Sequence, residues 1–244
     1  MSKRYNVREG IVLRRSELPS GDVIVTLLSE DGKWRGVARK GKLVGGNLGK
    51  LSLFHDVTVQ HYRRQDEDFS LITQVQLNGA LPKLSDPSIY PYAHVLAELT
   101  DKLTVDVHLG ERIYSYLASG LRGLVRHNDP EAVALVMSWR LLTQAGLAPR
   151  LTRCARCGSR EVSDTFDVAS GGLTCEACGV GIKLSAQVVD ELWALHQRPV
   201  REVLEEPLEE RPAHWNLLSR YLGYHVGEVE SLTNLRRYTA LVTS

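Results

Sequence analysis

No stretch of this 244-residue chain approaches 18 uninterrupted apolar residues, so no segment reads as a membrane-spanning helix. The opening residues, MSKRYNVREG, are basic but lack an apolar core, so nothing marks a secretory leader and a reducing, cytoplasmic setting is expected. Internal repeats and low-complexity linkers are absent. Catalytic patterns are absent too: there is no His-Glu-x-x-His, and the eight histidines are scattered, with His55 and His61 in or beside one strand-like segment. The stretch GGNLGKLS resembles a phosphate-binding loop only at its end. Val44 stands where its first glycine belongs, and Leu51 follows the lysine where a hydroxyl is needed. No constellation for acid–base or nucleophilic chemistry remains, and a non-catalytic protein is the expectation. Cysteine is the scarcest feature of interest: there are four, all between positions 154 and 178.

Charge is not scarce but unevenly placed. The net charge of +1 conceals a front segment, residues 1–64, with 13 Lys/Arg against 6 Asp/Glu, and a remainder that is acidic by six. A basic front points to an anionic partner.

Residues 1–80 read as five short strands: YNVREGIVLRR, VIVTLLS, KWRGVARKG, DVTVQHYRR and FSLITQVQL, joined by the turn-like LPSGD, EDGK and RQDED. Five strands in this length suit a small closed barrel, of which the OB-fold is the leading type and an SH3-like barrel the competing one. The Gly-rich stretch GKLVGGNLGKLSLF is expected to be a mobile loop on its rim. From residue 85 the period becomes helical. Ile89, Ala93, Leu96, Leu99 and Leu103 form one stripe, and LGERIYSYLASGLRGLVRH repeats the pattern. A third helix has Asp129 as N-cap, Pro130 at its first position, an inward face of Val133, Val136, Met137 and Leu141, and Gly146 as its stop. Ser185 caps a further helix, and two more follow around AHWNLLSRYLGYHV and ESLTNLRRYT. The expectation is an α+β chain: a five-stranded barrel over 1–82, a helical bundle over 83–150 and 184–244, and a four-cysteine insert over 151–183. The acidic run EVLEEPLEERP is a candidate contact for a basic partner.

Cys154-x-x-Cys157 and Cys175-x-x-Cys178 have the spacing of a four-cysteine zinc ribbon or knuckle. Each pair ends in glycine, and the insert between them is long enough for a hairpin turning at Gly171-Gly172. Four thiolates saturate one Zn²⁺ and leave no position for water or substrate, so the expected role is structural. Asp164 and Asp167, within the insert, read as turn formers. A zinc-dependent nucleic-acid-processing enzyme is the rival reading from another class.

The barrel segment offers a phosphate backbone Arg14, Arg15, Lys33, Arg35, Arg39, Lys40, Lys42, Lys50, Arg63 and Arg64, interleaved with Tyr5, Trp34, Phe54 and Tyr62. Barrels of this class hold single strands with such a basic groove and aromatic platforms. Strand alternation puts Lys33, Arg35 and Arg39 on one face and turns Trp34 the other way. Trp34 and Tyr62 are therefore either base-stacking or core residues.

These residues resemble a family, the bacterial recombination mediator RecO, over nearly the whole chain. GIVLRRSELPSGDVIVTLLSEDGKWRGVARKGK is similar to the family's opening strands, and YPYAHVLAELTDKL to its first long helix. LLTQAGLAPRLTRCARCG carries Leu141, Leu142, Gly146, Pro149, Leu151, Cys154, Cys157 and Gly158 in register. Phe166, Gly171, Gly172, Cys175 and Cys178 follow. The resemblance implies an N-terminal OB-fold, a helical bundle and an inserted zinc module. It also implies binding of single- and double-stranded DNA, strand annealing, and help in loading recombinase onto strands coated by single-stranded DNA-binding protein. RecR, and in some settings RecF, would be partners in a nucleoid-associated role. The acidic and apolar tail of the single-stranded DNA-binding protein would suit a helical groove with arginines, for which Arg112, Arg122, Arg126 and Arg140 are the candidates.

Overall fold

A computed structural model describes residues 5–39, 47–63, 69–104 and 110–235. The chain divides into two compact units, residues 1–126 and 127–244. No helix among the described residues is long and apolar enough to cross a membrane.

In the first unit, β1 (Asn6–Glu17), β2 (Val23–Ser29), β3 (Gly32–Ala38), β4 (Asp56–Tyr62) and β5 (Ser70–Gly79) close into a barrel in the order β1-β2-β3-β5-β4. All pairings are antiparallel except β3 with β5, which run parallel through Gly36–Ser70, Val37–Leu71 and Ala38–Ile72. This is the five-stranded OB-type order, and it settles the choice left open between barrel classes. Alternation fills the interior with Val12, Val23, Val25, Leu27, Ala38, Val57, Val59, Ile72 and Val75.

The stretch expected to be a rim loop behaves differently. Its first part, residues 41–46, lies outside the described residues, but Asn47–Lys50 form a short helix, α1. Leu51 is fully buried in the barrel core, with Leu48 and Leu53 packed against it. Three leucines spaced through a glycine-rich segment pack on the barrel core, and the apolar area they bury together offsets the entropy lost in ordering the segment.

Two helices complete this unit: α2 (Tyr90–Leu103), entered through a single 3₁₀ turn at Pro82–Ser85, and α3 (Gly110–Arg126). Ala93, Leu96, Leu99 and Leu103 of α2 are buried, as the stripe requires, and α2 packs on β1 while α3 packs on β2 and β3. Their apolar faces cover the outer surface of the barrel around Ile11 and Leu28, both buried although they point away from the interior. A β-bulge between Val12 and Arg14 shifts the register so that Arg14 faces outward opposite Thr26.

The second unit is built around α4 (Pro130–Gln144), buried along nearly its whole length from Ala132 to Leu142. Asp129 caps it by accepting from the Ala132 amide at 3.0 Å, and its carboxylate is paired with Arg211. Helices α5 (Ala186–Gln197), α6 (Val200–Glu205) and α7 (Arg211–His225) pack around α4. Ser185 caps α5 by accepting from the Val188 amide at 3.2 Å. The helix α6 runs into the start of the segment read as an acidic patch. There Glu202 and Glu206 pair with Arg198, and Glu205 pairs with Arg201.

Two buried histidines lie inside this unit. His214 is fully buried against the Glu191 carboxylate at 2.8 Å, and its pKa is lowered because burial outweighs that attraction. His196 packs edge-on to Trp139 and its Nδ1 lies 3.1 Å from the Thr143 hydroxyl. Burial, with the nearby Arg140 charge, pushes its pKa down to about 4. The unfolded chain therefore takes up a proton below the ordinary histidine value that the folded chain refuses. The stability this contributes is complete at neutral pH and lost as the pH falls from about 6.5 toward 4, amounting to about 2 kcal/mol at pH 5. His196→Gln keeps a partner for Thr143 and does not titrate, so its melting temperature should fall less than the parent's between pH 7 and pH 5. Equal falls would show that His196 is not held neutral.

Candidate nucleic-acid interface and metal centre

The outer face of β1, β2 and β3 gathers part of the basic set in one row. Arg14 is paired in register with Thr26, and Thr26 with Arg35, so the two arginines flank one residue on the same face. Both are exposed, and among the described residues neither makes a hydrogen bond or ion pair. The Arg35 guanidinium lies 5.4 Å from the centre of the Phe69 ring, which holds the side chain without neutralising it.

The other cations of that set have different surroundings. The Lys33 ammonium donates to the Asp101 carboxylate at 2.9 Å and to the Asp101 backbone carbonyl at 2.7 Å, binding α2 to the barrel. Arg15 pairs with Glu17 at 2.7 Å, and Lys50 donates to the Val75 carbonyl at 3.2 Å. Arg39 is half-buried and Arg63 exposed, each with a partner of its own. Lys40, Lys42 and Arg64 lie outside the described residues.

The aromatic residues divide as well. Tyr62 is buried, 4% exposed, and is a core residue with Tyr5 edge-on to it at 5.7 Å. Trp34 packs half-buried against the barrel core, its ring folded over Gly36, where any Cβ would collide with it, and 4.6 Å from the His61 ring. Tyr5, 49% exposed, and Phe69 are the aromatic groups of the barrel that water reaches most readily near the basic row or the barrel end. Phe69 precedes β5 directly after the run RRQDED, and only its tertiary approach to Arg35 singles it out.

Among the candidates for a protein partner, Arg112, Arg122 and Arg126 stand exposed on α3. Arg140 is engaged within the second unit, donating to the carbonyls of His196, at 2.8 Å, and Arg198 at the end of α5.

The four cysteines meet in the second unit. A three-stranded sheet, ordered β7 (Gly172–Thr174), β6 (Thr165–Asp167) and β8 (Ile182–Lys183), carries the hairpin whose turn includes Gly171. Phe166 and Leu173 are buried beneath it, and α7 holds it through His225, which bonds the Val168 carbonyl at 2.8 Å. The four sulfurs of Cys154, Cys157, Cys175 and Cys178 lie within 4.8 Å of one another, and Cys157 Sγ is 3.7 Å from Cys175 Sγ. Sulfurs bound at about 2.3 Å to a tetrahedral centre stand about 3.8 Å apart, so the spacing fits a single metal ion. Each turn aims amides inward. Backbone N–H groups, that of Cys157 foremost, then Cys175 and Arg156, pull the Cys154 thiol down to about 6. Hydrogen bonding with the other sulfurs, Cys175 first, pushes Cys178 up to about 12. Asp167 is more than a turn former: it accepts from Arg156 at 2.6 Å and from Ser170 at 2.6 Å.

Residues 1–80 match the family model described as Recombination protein O N terminal, and residues 84–233 match Recombination protein O C terminal. The chain belongs to the RecO family. Curated relatives named DNA repair protein RecO include one from Streptomyces avermitilis, 34% identical over 203 residues, covering 77% of this chain and 80% of that protein. Another, from Bifidobacterium animalis subsp. lactis, is 29% identical over 228 residues, covering 89% of this chain and 93% of its own length. Among solved structures, asparaginyl-tRNA synthetase from Pyrococcus horikoshii overlaps 41% of this chain and 30% of its own, with a TM-score of 0.29 and 12% identity, too slight to bear on the RecO assignment.

Elemental analysis of the purified chain should find about one metal ion per molecule, and Cys154→Ser should release it and lower the melting temperature. A variant that keeps the ion or melts like the parent would show that the four sulfurs do not form one closed site.

Proposed function

We propose that this chain is a DNA-binding recombination mediator that works without a chemical step. It holds single- and double-stranded DNA on the outer face of its barrel, brings complementary strands together, and helps load recombinase onto strands coated by single-stranded DNA-binding protein. RecR, and in some settings RecF, are its partners, and it acts on DNA in the cytoplasm, at the nucleoid. A role in DNA repair and recombination is supported by family membership. The observation that carries the DNA-binding reading is the Arg14–Thr26–Arg35 row, two exposed cations in register that make no ion pair among the described residues. Solvated cations facing one way are how a barrel meets a phosphate backbone, with Phe69 beside Arg35 as a surface for a base. Arg39, Lys40, Lys42, Lys50, Arg63 and Arg64 are further phosphate contacts in this reading, whereas Lys33 and Arg15 serve mainly to set the basic face in place. The exposed arginines of α3 are the proposed seat for the acidic tail of the single-stranded DNA-binding protein.

The metal in this reading is Zn²⁺, one per chain. Four thiolates at tetrahedral spacing suit zinc and fill its coordination, so the ion braces the module and takes no part in a reaction.

Phosphate contacts release condensed counterions, so single-strand affinity should fall with salt by a power of about 0.7 per contact. Arg14→Glu with Arg35→Glu should flatten the slope of log affinity against log salt by about 1 to 2, weaken all sequences alike, and slow strand annealing. A double variant with the parental slope and annealing rate would remove the barrel face as the DNA site.

A further inference from the structure

The second unit is acidic overall, with 12 Lys/Arg against 15 Asp/Glu over residues 127–244, yet RLTRCARCGSR, residues 150–160, holds four arginines and no acidic residue. A third of the unit's cations thus fall within about one eleventh of its length, on the first cysteine turn. All four are exposed. Arg156 is committed to Asp167. Among the described residues, the side chains of Arg150, Arg153 and Arg160 make no hydrogen bond or ion pair.

The backbone beneath these three is fixed. Arg150 is tied on both sides to the hairpin, its amide donating to the Gly171 carbonyl and its carbonyl accepting from Leu173, both at 2.9 Å. The Cys154 amide donates to the Ser159 carbonyl at 2.8 Å, which sets the peptide after Arg153 against the peptide before Arg160. Gly158 makes this possible, with a φ of 78° that side-chain-bearing residues rarely adopt. The backbone at Arg153 and Arg160, seven positions apart, is therefore held close together, with Arg150 in an isolated bridge to Gly172 just before the turn. Nearby acids are partly accounted for: Asp167 is held by Arg156 and Asp164 faces Lys183 at 3.7 Å, leaving Glu161 and Glu176 exposed without an ion pair among the described residues.

We infer that the first cysteine turn, through Arg150, Arg153 and Arg160, is a second contact for the DNA phosphate backbone, separate from the barrel row. A backbone already pinned adds little ordering cost on binding, and guanidinium groups take phosphate oxygens two at a time. Contacts from both units give one chain two places for nucleic acid, which suits a protein that must hold two strands. The competing explanation is local: four thiolates around a divalent ion carry a net charge of −2, and the arginines would then only balance it.

The inference rests on the reading that the chain binds DNA, and the test separates the two. Arg150→Gln, Arg153→Gln and Arg160→Gln are combined in the full-length protein, beside the Arg14/Arg35 variant, on a mixed-sequence duplex of about 30 base pairs. Each lost phosphate contact should reduce the salt slope by about 0.9, so the turn variant should lie 2 to 3 below the parent while retaining its metal and melting temperature. Lysine at the same positions should restore most of the slope. An unchanged slope in the turn variant, with the barrel variant flattened, overturns this inference and leaves the barrel reading standing. A parental slope together with lost metal would overturn it too, assigning the arginines to the thiolates.

Discussion

Three residue pairs, Gly36 with Ser70, Val37 with Leu71 and Ala38 with Ile72, join β3 to β5 and close the barrel. Once closed, the five strands have no free edge, every inward position must be apolar, and every charge must go outward or to an end. That constraint creates the face proposed to meet DNA. The outer face is then divided between two uses: α2 and α3 cover the part around Ile11 and Leu28, and the Arg14–Arg35 row stays in water. Lys33 marks the border, since it lies on the same face as Arg35 but spends its charge on Asp101 of α2. A partly exposed pair of this kind contributes little stability by itself, about 1 kcal/mol or less, and its effect is to fix where the covered surface ends.

The second unit solves a different problem. Its core helix α4 is apolar nearly all round, and the cysteine module lies beneath α7 through Phe166, Leu173 and the His225 bond to Val168. A few very short strands cannot bury enough surface to stand alone, and a closed four-sulfur centre supplies the missing constraint. The same turn that folds the sulfurs inward leaves residues between and beside them outward, and in this chain Arg153 and Arg156 are among them.

Much of this was legible in the sequence. Alternating runs gave all five barrel strands because one face of each is buried, and the periodicity of two survives wherever a single face meets a core. Asp129, Pro130 and Ser185 announced their helices because a cap acts over three or four residues, within the reach of local reading. The cysteine spacing announced the metal centre for the same reason. What escaped was whatever depends on a distant partner. Nothing near Lys33 in sequence points to Asp101, 68 residues on, and nothing near Arg140 points to the end of α5. The short helix α6 was hidden within a run of glutamates whose charges are answered by Arg198 and Arg201. Leu48, Leu51 and Leu53 were hidden by the glycines around them, which suggested mobility where the barrel end needed filling. Long cationic side chains are the hardest to assign in advance, because whether they meet solvent, carboxylate or phosphate is decided by tertiary approach.

The central claim is that DNA lies along the outer face of β1–β3. Ultraviolet cross-linking of the full-length protein to a uniformly labelled single strand, followed by peptide mapping, tests it without altering any residue. The account predicts cross-links on the peptides that carry Arg14, Arg35 and Phe69, reduced by high salt. Cross-links confined to α5, α6 and α7, with the barrel strands unlabelled, would contradict it.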